Sequence, residues 1–310
     1  MPRYSHVQVQ KSIEKPDWLR VRYPSGENYE KIKTTLRMHG LHTVCEEAHC
    51  PNVAECWGGG TATFMLMGDT CTRGCRFCNV RSGNPQRQLN IFEPTKVAKT
   101  IADLGLKYVV ITSVDRDDLP DGGAGHFAAT ISAIKKHDPD VITEVLIPDF
   151  QGNLKAVKTV VDAGPKVIAH NIETTEPLTP RIRDPRATYE QSLKVLKAIK
   201  ELNPHLYSKS SIMVGLGENE ADLVQAMKDL RNVNVDILTL GQYLRPSKGH
   251  VPVIEYVPPE RFSHYKSLAE EMGFLYVASG AFVRSSYRAG EFFVEALIRR
   301  SRSSQERFTS

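Results

Sequence analysis

The chain has 310 residues, 41% of them hydrophobic and 25% charged, with 40 basic against 36 acidic side chains and a formal net charge of +4. That length suits one large α/β domain or two smaller ones, and the composition is that of a globular protein. The charge is too mild to argue for nucleic acid, and no apolar run approaches the roughly 18 residues that cross a bilayer, so neither partner is expected.

The first segment, "MPRYSHVQVQKSIEKPDW", lacks the apolar core of a secretory signal, and its basic residues Arg3, Lys11 and Lys15 make a poor transit peptide. A cytoplasmic, reducing location is expected. Residues 1–60 are predicted to form an N-terminal extension, in which "VCEEAHCPNVAECWGG" places Cys45, Cys50 and Cys56 at C-x4-C-x5-C spacing. "TATFMLMGD" (61–69) reads as a short buried strand. "GDTCTRGCRFCNV" (68–80) follows it directly, with Cys71, Cys75 and Cys78 at C-x3-C-x2-C spacing.

Beyond residue 78 the pattern alternates. Helical "PTKVAKTIADLGL", with Pro94 at its start, leads to the strand "KYVVITSV"; helical "GHFAATISAIKKH" leads to "VITEVLIPD". "NLKAVKTVVDAG" precedes the strand "PKVIAHNIET", "ATYEQSLKVLKAIKEL" precedes "YSKSSIMVGLGE", and "NEADLVQAMKDLRN" precedes "VDILTLGQYL". "PPERFSHYKSLAEEMG" is a last helix, and "FLYVASGAF" is positioned to close the series. The strands are β-branched and do not alternate cleanly, which predicts a parallel sheet covered on both faces. No GxGxxG follows a strand, which weakens a dinucleotide-binding reading. The expected fold class is α/β: a partial (β/α)6-type TIM barrel over residues 61–280, with N- and C-terminal extensions at 1–60 and 281–310. Its chemistry belongs at the C-terminal ends of the strands, where the 71–78 triplet falls. The basic end, "IRRSRSSQERFTS", reads as a solvated tail.

All six cysteines lie between residues 45 and 78. Without an export signal they read as metal or redox ligands before disulfides. Zinc is open for the first triplet, because His42 and His49 stand beside it; the second has no histidine nearby. Three thiolates in one tight loop suit three irons of a [4Fe–4S] cluster, leaving the fourth iron open. Thr72, Arg73, Gly74 and Arg76 between them are small or cationic, and the arginines either offset cluster charge or are solvated.

C-x3-C-x2-C after the first strand of a β/α series, with Phe77 before the third cysteine, resembles the radical S-adenosylmethionine (SAM) superfamily. "CEEAHCPNVAECW", "RDDLPDGGA", "LIPDF", "AHNIET", "QYLRPS" and "VRSSYRAGE" are together similar to the lipoyl synthase family, over about residues 30 to 295. The resemblance implies that Cys71, Cys75 and Cys78 hold a cluster whose open iron binds SAM, and that reductive cleavage yields a 5′-deoxyadenosyl radical. It implies that Cys45, Cys50 and Cys56 hold a second, auxiliary [4Fe–4S] cluster, sacrificed as sulfur source, with Ser286 of "RSSY" as the remaining ligand. If that segment is extended, only one of Ser285 and Ser286 reaches the iron. An alkoxide is a poor match for a soft cluster, which would favour its dismantling.

Candidate SAM or substrate contacts follow from the same resemblance. Asp121, Gly122 and Gly123 occupy the place that binds the methionine amino group, although Asp121 also reads as a cap of the next helix. Asn171 and Glu173 end the fourth strand on one face, Lys209 and Ser211 share a parity on the fifth, Gly215 lies in "MVGLGE", and Arg245 ends the sixth. The implied reaction inserts two sulfurs at C6 and C8 of an octanoyl-lysine on a lipoyl carrier domain or H-type protein. It needs an electron donor such as ferredoxin or flavodoxin. A methylthiotransferase or biotin-synthase-like enzyme would lack the upstream C-x4-C-x5-C. A non-catalytic iron–sulfur electron carrier would need neither a barrel nor an open iron.

Overall fold

The structure, a computed structural model, describes residues 14–20, 26–47, 50, 52–58, 62–291 and 293; the readings made on residues 1–13, His49 and the basic tail lie outside them. In chain order the strands are β1 (His42–Thr43), β2 (Thr63–Leu66), β3 (Thr70–Cys71), β4 (Arg81–Ser82), β5 (Tyr108–Ser113), β6 (Ile142–Leu146), β7 (Val167–Ala169), β8 (Tyr207–Val214), β9 (Ile237–Gln242) and β10 (Tyr276–Gly280). The helices are α1 (Glu27–His39), α2 (Val44–Glu47), α3 (Val53–Gly58), α4 (Glu93–Leu104), α5 (Ala124–His137), α6 (Leu154–Asp162), α7 (Thr179–Ile182), α8 (Tyr189–Leu202), α9 (Glu220–Asn232) and α10 (Pro259–Glu271).

Every strand and crossover helix expected from residue 61 onward forms. Pro94 opens α4, and Gly105 closes it in the left-handed conformation that glycine adopts at low cost. Asn153, Thr188 and Asn219 cap α6, α8 and α9 by accepting first-turn N–H groups. The main sheet runs β1-β2-β5-β6-β7-β8-β9-β10. Its last seven strands are parallel and consecutive, joined by α4, α5, α6, α8, α9 and α10. β10 extends the sheet beside β9 rather than closing it: among the described residues no pairing joins β10 to the β1–β2 edge. The result is an α/β partial barrel.

The curl of the sheet is visible in its interior. The Phe293 ring lies 5.8 Å from that of Tyr108 on β5 and 5.3 Å from that of Tyr207 on β8. In a flat sheet those strands would stand about 14 Å apart, three spacings of roughly 4.8 Å. Phe293 thus plugs the end where the strands begin, among Val167, Ile237 and Tyr276. One layer deeper, Lys209 pairs with Glu144 at 2.8 Å, both nearly sealed from solvent, and Glu144 also accepts from Tyr108 Oη. At the strand C-termini the sheet is left to the loops that carry the cysteines.

Candidate functional site

The 71–78 loop leaves β3 and returns through β4, whose pairing (Thr70 with Arg81, Cys71 with Ser82) clamps its two ends. Inside, Arg73 N–H donates to Cys71 Sγ at 3.4 Å and Asp184 N–H to Cys75 Sγ at 3.3 Å. Burial pushes the Cys71 and Cys75 thiols up to about 11 and Cys78 to about 12; neighbouring thiols of the set, felt by Cys71 and Cys78, add to the rise. Three sulfurs close enough to repel one another as thiolates are a set ready for a shared cation centre.

The loop is seated by a buried cation. The Arg73 side chain is 2% exposed and reaches Asp149 (2.6 and 2.7 Å), Asp117 (2.9 Å twice) and Asp115 (3.4 Å). The solvated-charge reading does not describe it: Arg73 faces three aspartates, Asp115 and Asp117 on the β5–α5 loop and Asp149 on the β6–α6 loop. Arg76 alone of the two arginines is exposed. His250 supports the loop from the other side, its Nε2 lying 3.0 Å from the Cys78 carbonyl.

The first triplet is built against the sheet edge. β1 pairs antiparallel with β2, so Cys45 at the start of α2 stands over Thr63, while Cys56 rides α3. Cys45, Cys50 and Cys56 line one narrow cleft with Asn52, Val53, Thr63, Arg284, Ser286 and Tyr287. Ser286 faces this cleft and Ser285 does not line it. The segment is a turn, with Tyr287 N–H on the Arg284 carbonyl at 3.1 Å, so the expected extended alternation is not what separates the two serines. Gly241 admits the segment to the barrel: a Cβ there would lie 2.0 Å from the Val283 carbonyl oxygen. Arg284 is half-buried beside Cys50. Burial pushes Cys45 up to about 11 and Cys56 to about 12, each raised further by other thiols of the set. His42, the possible zinc ligand, instead meets Glu47 at 3.2 Å.

The remaining candidates are placed variously. Asp121 caps α5 by accepting the Gly123 and Gly125 N–H groups. Gly122 abuts Phe150, and Gly123 passes so close to Met67 that a Cβ would stand 2.3 Å from its sulfur. Asn171 and Glu173 do meet, Asn171 Nδ2 donating to Glu173 at 3.0 Å, but β7 ends at Ala169 and Glu173 is left-handed (φ 68°), so strand alternation is not what aligns them. Ser211 is buried on β8, and the Gly215 N–H is held by Glu218. Lys209 faces the barrel interior but spends its charge on Glu144, and Arg245 donates to the carbonyls of His250 and Lys248. Buried, unpartnered polar atoms remain at the mouth: Ser113 Oγ, His170 Nε2, Asn171 Oδ1 and Arg183 Nε.

The model of the Radical SAM superfamily matches residues 65–230, and that of the N-terminal domain of lipoyl synthase matches residues 4–50. The lipoyl synthase of Anaeromyxobacter dehalogenans is 60% identical over 285 residues, covering 92% of this chain and 97% of that protein. The chain belongs to the lipoyl synthase family of the radical SAM superfamily. The lipoyl synthase of Thermus thermophilus is 56% identical over 285 residues (92% and 88% covered), and the mitochondrial one of Aedes aegypti 56% over 297 residues (94% and 76%). The FeFe-hydrogenase maturase HydG from Carboxydothermus hydrogenoformans shares the fold, with a TM-score of 0.58 at 13% identity over 86% of this chain and 68% of its own.

Membership in this family brings a [4Fe–4S] cluster and SAM as cofactors. The donor sets fit. Six cysteines are free of disulfides, and they gather as two thiol trios. Among the described residues no three His, Cys, Asp or Glu side chains close on a single ion, whereas a cubane spreads its ligands over several irons. The unpartnered atoms at the mouth suit a polar ligand such as SAM. Sequence reasoning names Arg73 without its aspartate partners and misses Arg183, His250 and Arg284. The last lies in the quoted "VRSSYRAGE", and its place before two serines was the available signal.

Proposed function

We propose that this enzyme inserts two sulfur atoms, at C6 and C8, into an octanoyl chain on a lysine of a lipoyl carrier domain or H-type protein. The observation that carries this reading is the cleft in which Cys45, Cys50, Cys56 and Ser286 converge from the two ends of the chain. These four residues would hold an auxiliary [4Fe–4S] cluster, and Cys71, Cys75 and Cys78 the radical-generating one. With SAM bound, the two clusters supply what side chains cannot: a radical able to take hydrogen from an unactivated C–H bond, and sulfide to replace it.

The chain's own groups hold and position. The N–H groups of Arg73 and Asp184 point at Cys71 and Cys75 sulfurs and stabilise negative charge there. Arg284, half-buried beside Cys50, offsets anionic charge in the auxiliary cleft. Asn171, Glu173, Gly215 and Ser211 line the SAM side of the mouth in this reading; Asp121, Gly122 and Gly123 shape the turn at its edge. Lys209 and Arg245 stand aside from SAM in this reading, Lys209 held by Glu144 and Arg245 by the carbonyls of His250 and Lys248. The described residues of the N-terminal extension and of the segment that follows residue 280 then form one unit, supported by the Tyr287–Glu55 hydrogen bond of 2.9 Å. The free thiols suit a reducing compartment such as the cytoplasm, with ferredoxin or flavodoxin as reductant.

The test is anaerobic incubation with an octanoylated carrier peptide, SAM and reductant, followed by mass spectrometry. Conversion of octanoyl to lipoyl-lysine is expected; SAM cleavage with an unmodified peptide would contradict the proposal.

A further inference from the structure

The outer side of the 71–78 loop is joined to two other segments. Arg76 N–H donates to the Ile182 carbonyl at 2.9 Å, and the Arg76 carbonyl accepts from Val251 N–H at 3.1 Å. Arg76 Nη1 reaches the Arg181 carbonyl at 3.2 Å. Phe77, Ile182, Tyr243 and Val251 pack together beneath these contacts, so the three segments form one stiff base.

Four cations stand on that base: Arg76, Arg181, Arg245 and Lys248, all exposed. Among the described residues none is ion-paired. The neighbouring carboxylates Asp117, Asp149 and Asp184 are taken by Arg73 and Arg186. Arg245 is held over the 245–250 loop by the carbonyls of His250 and Lys248. Those three acids turn inward, and the four cations are left facing solvent. None of these residues lines the auxiliary cleft.

We propose that this rim is the docking surface for an acidic one-electron donor protein. The inference rests on the reading that Cys71, Cys75 and Cys78 hold a cluster that must be reduced. Arg76 lies between two of those cysteines, so a partner seated on the rim stands as near to the cluster as the surface allows. One electron leaves the donor, which is oxidised by one unit, and enters the cluster, which is reduced by one; no bond or proton is transferred. A like-signed rim on a rigid base speeds encounter and fixes orientation with an oppositely charged partner.

The experiment uses the cluster-loaded full chain and an acidic flavodoxin as probe. Binding is read from flavin fluorescence anisotropy across a salt series, for the wild type and for Arg181→Glu/Lys248→Glu, whose side chains are solvent-facing. The variant is expected to bind about tenfold more weakly, with a shallower salt dependence. Flavodoxin-driven 5′-deoxyadenosine formation should fall in parallel, with the dithionite-driven rate unchanged. Unaltered flavodoxin affinity would overturn the proposal. So would selective loss of affinity for an octanoylated carrier protein, which would give the rim to the substrate. If charge reversal also lowers the dithionite rate, Arg181→Gln/Lys248→Gln in the same binding assay decides. No 5′-deoxyadenosine from the wild type with dithionite would sink the enzymatic reading, independently of the binding result.

Discussion

Asn52 and Phe282 stand 230 residues apart in the chain, and Asn52 Nδ2 donates to the Phe282 carbonyl at 2.6 Å. Asn52 is buried between Cys50 and Cys56, and Phe282 lies four residues before Ser286. This bond sets the distance between the cysteine arm and the serine arm of one site. Asn52→Ala leaves a carbonyl without its donor, at a cost of about 1–3 kcal/mol. The expected outcome is iron content falling toward four per chain, with SAM cleavage kept. Iron and sulfide analysis after reconstitution checks it, and a full complement of eight would count against the junction.

Ser286 and Ser285 make an internal comparison. Ser286→Ala should lose sulfur transfer while 5′-deoxyadenosine formation survives; Ser285→Ala should behave as wild type. In Ser286→Cys the softer thiolate should hold its iron more firmly, so the cluster assembles yet yields less product. Product analysis of the three proteins checks the order. Loss in Ser285→Ala alone would assign the ligand to the wrong serine.

Arg73 predicts a stability effect. Burial pushes Asp149 up, but the Arg73 hydrogen bonds and charge outweigh it and hold that carboxyl down at about 2. Arg73→Met would strand Asp149 and Asp115 and leave Asp117 only its contact with Arg186 at 3.2 Å, and loss of one partner of a buried pair costs about 3–5 kcal/mol. Arg73→Lys keeps a charge but not the fork that serves two carboxylates, so an intermediate loss is expected. Urea denaturation at pH 7 measures both; near-wild-type stability of Arg73→Met would show that the cluster loop does not depend on this hub.

Much of this was legible in the residues, and the failures have physical causes. Hydrophobic period marked each barrel strand and helix because burial on two faces leaves little ambiguity. Parity put Lys209 on the interior face but could not give depth, and a charge one layer down meets Glu144 before any ligand. Arg73 was read as local to its loop because nothing in "CTRGC" announces that Asp115, Asp117 and Asp149 converge on it. Ser286 was reached through a resemblance. The supporting alternation argument assumed an extended segment where the chain turns.

His170 carries a pH signature. Burial first, then the nearby Arg183 cation, hold its imidazole down at about 4; its Nδ1 lies 2.9 Å from the Ile147 carbonyl. In the unfolded chain it titrates near 6.5. Above pH 6.5 both states are neutral and it adds no pH dependence. As pH falls from 6.5 toward 4 only the unfolded state gains the proton, and stability drops, by about 3 kcal/mol in full. The wild type should therefore lose more stability between pH 7 and pH 5 than His170→Gln; equal losses in paired urea titrations would contradict this.

The central claim is that the site formed by Cys45, Cys50, Cys56 and Ser286 is the source of the inserted sulfur. Reconstituting the protein with ³⁴S-sulfide, removing free sulfide and running a single turnover on an octanoylated carrier peptide tests it most directly. The account predicts lipoyl product carrying two heavy sulfurs from the wild type and none from Cys50→Ala, with SAM cleavage retained. Lipoyl product with sulfur of natural abundance, or heavy product from Cys50→Ala, would contradict it.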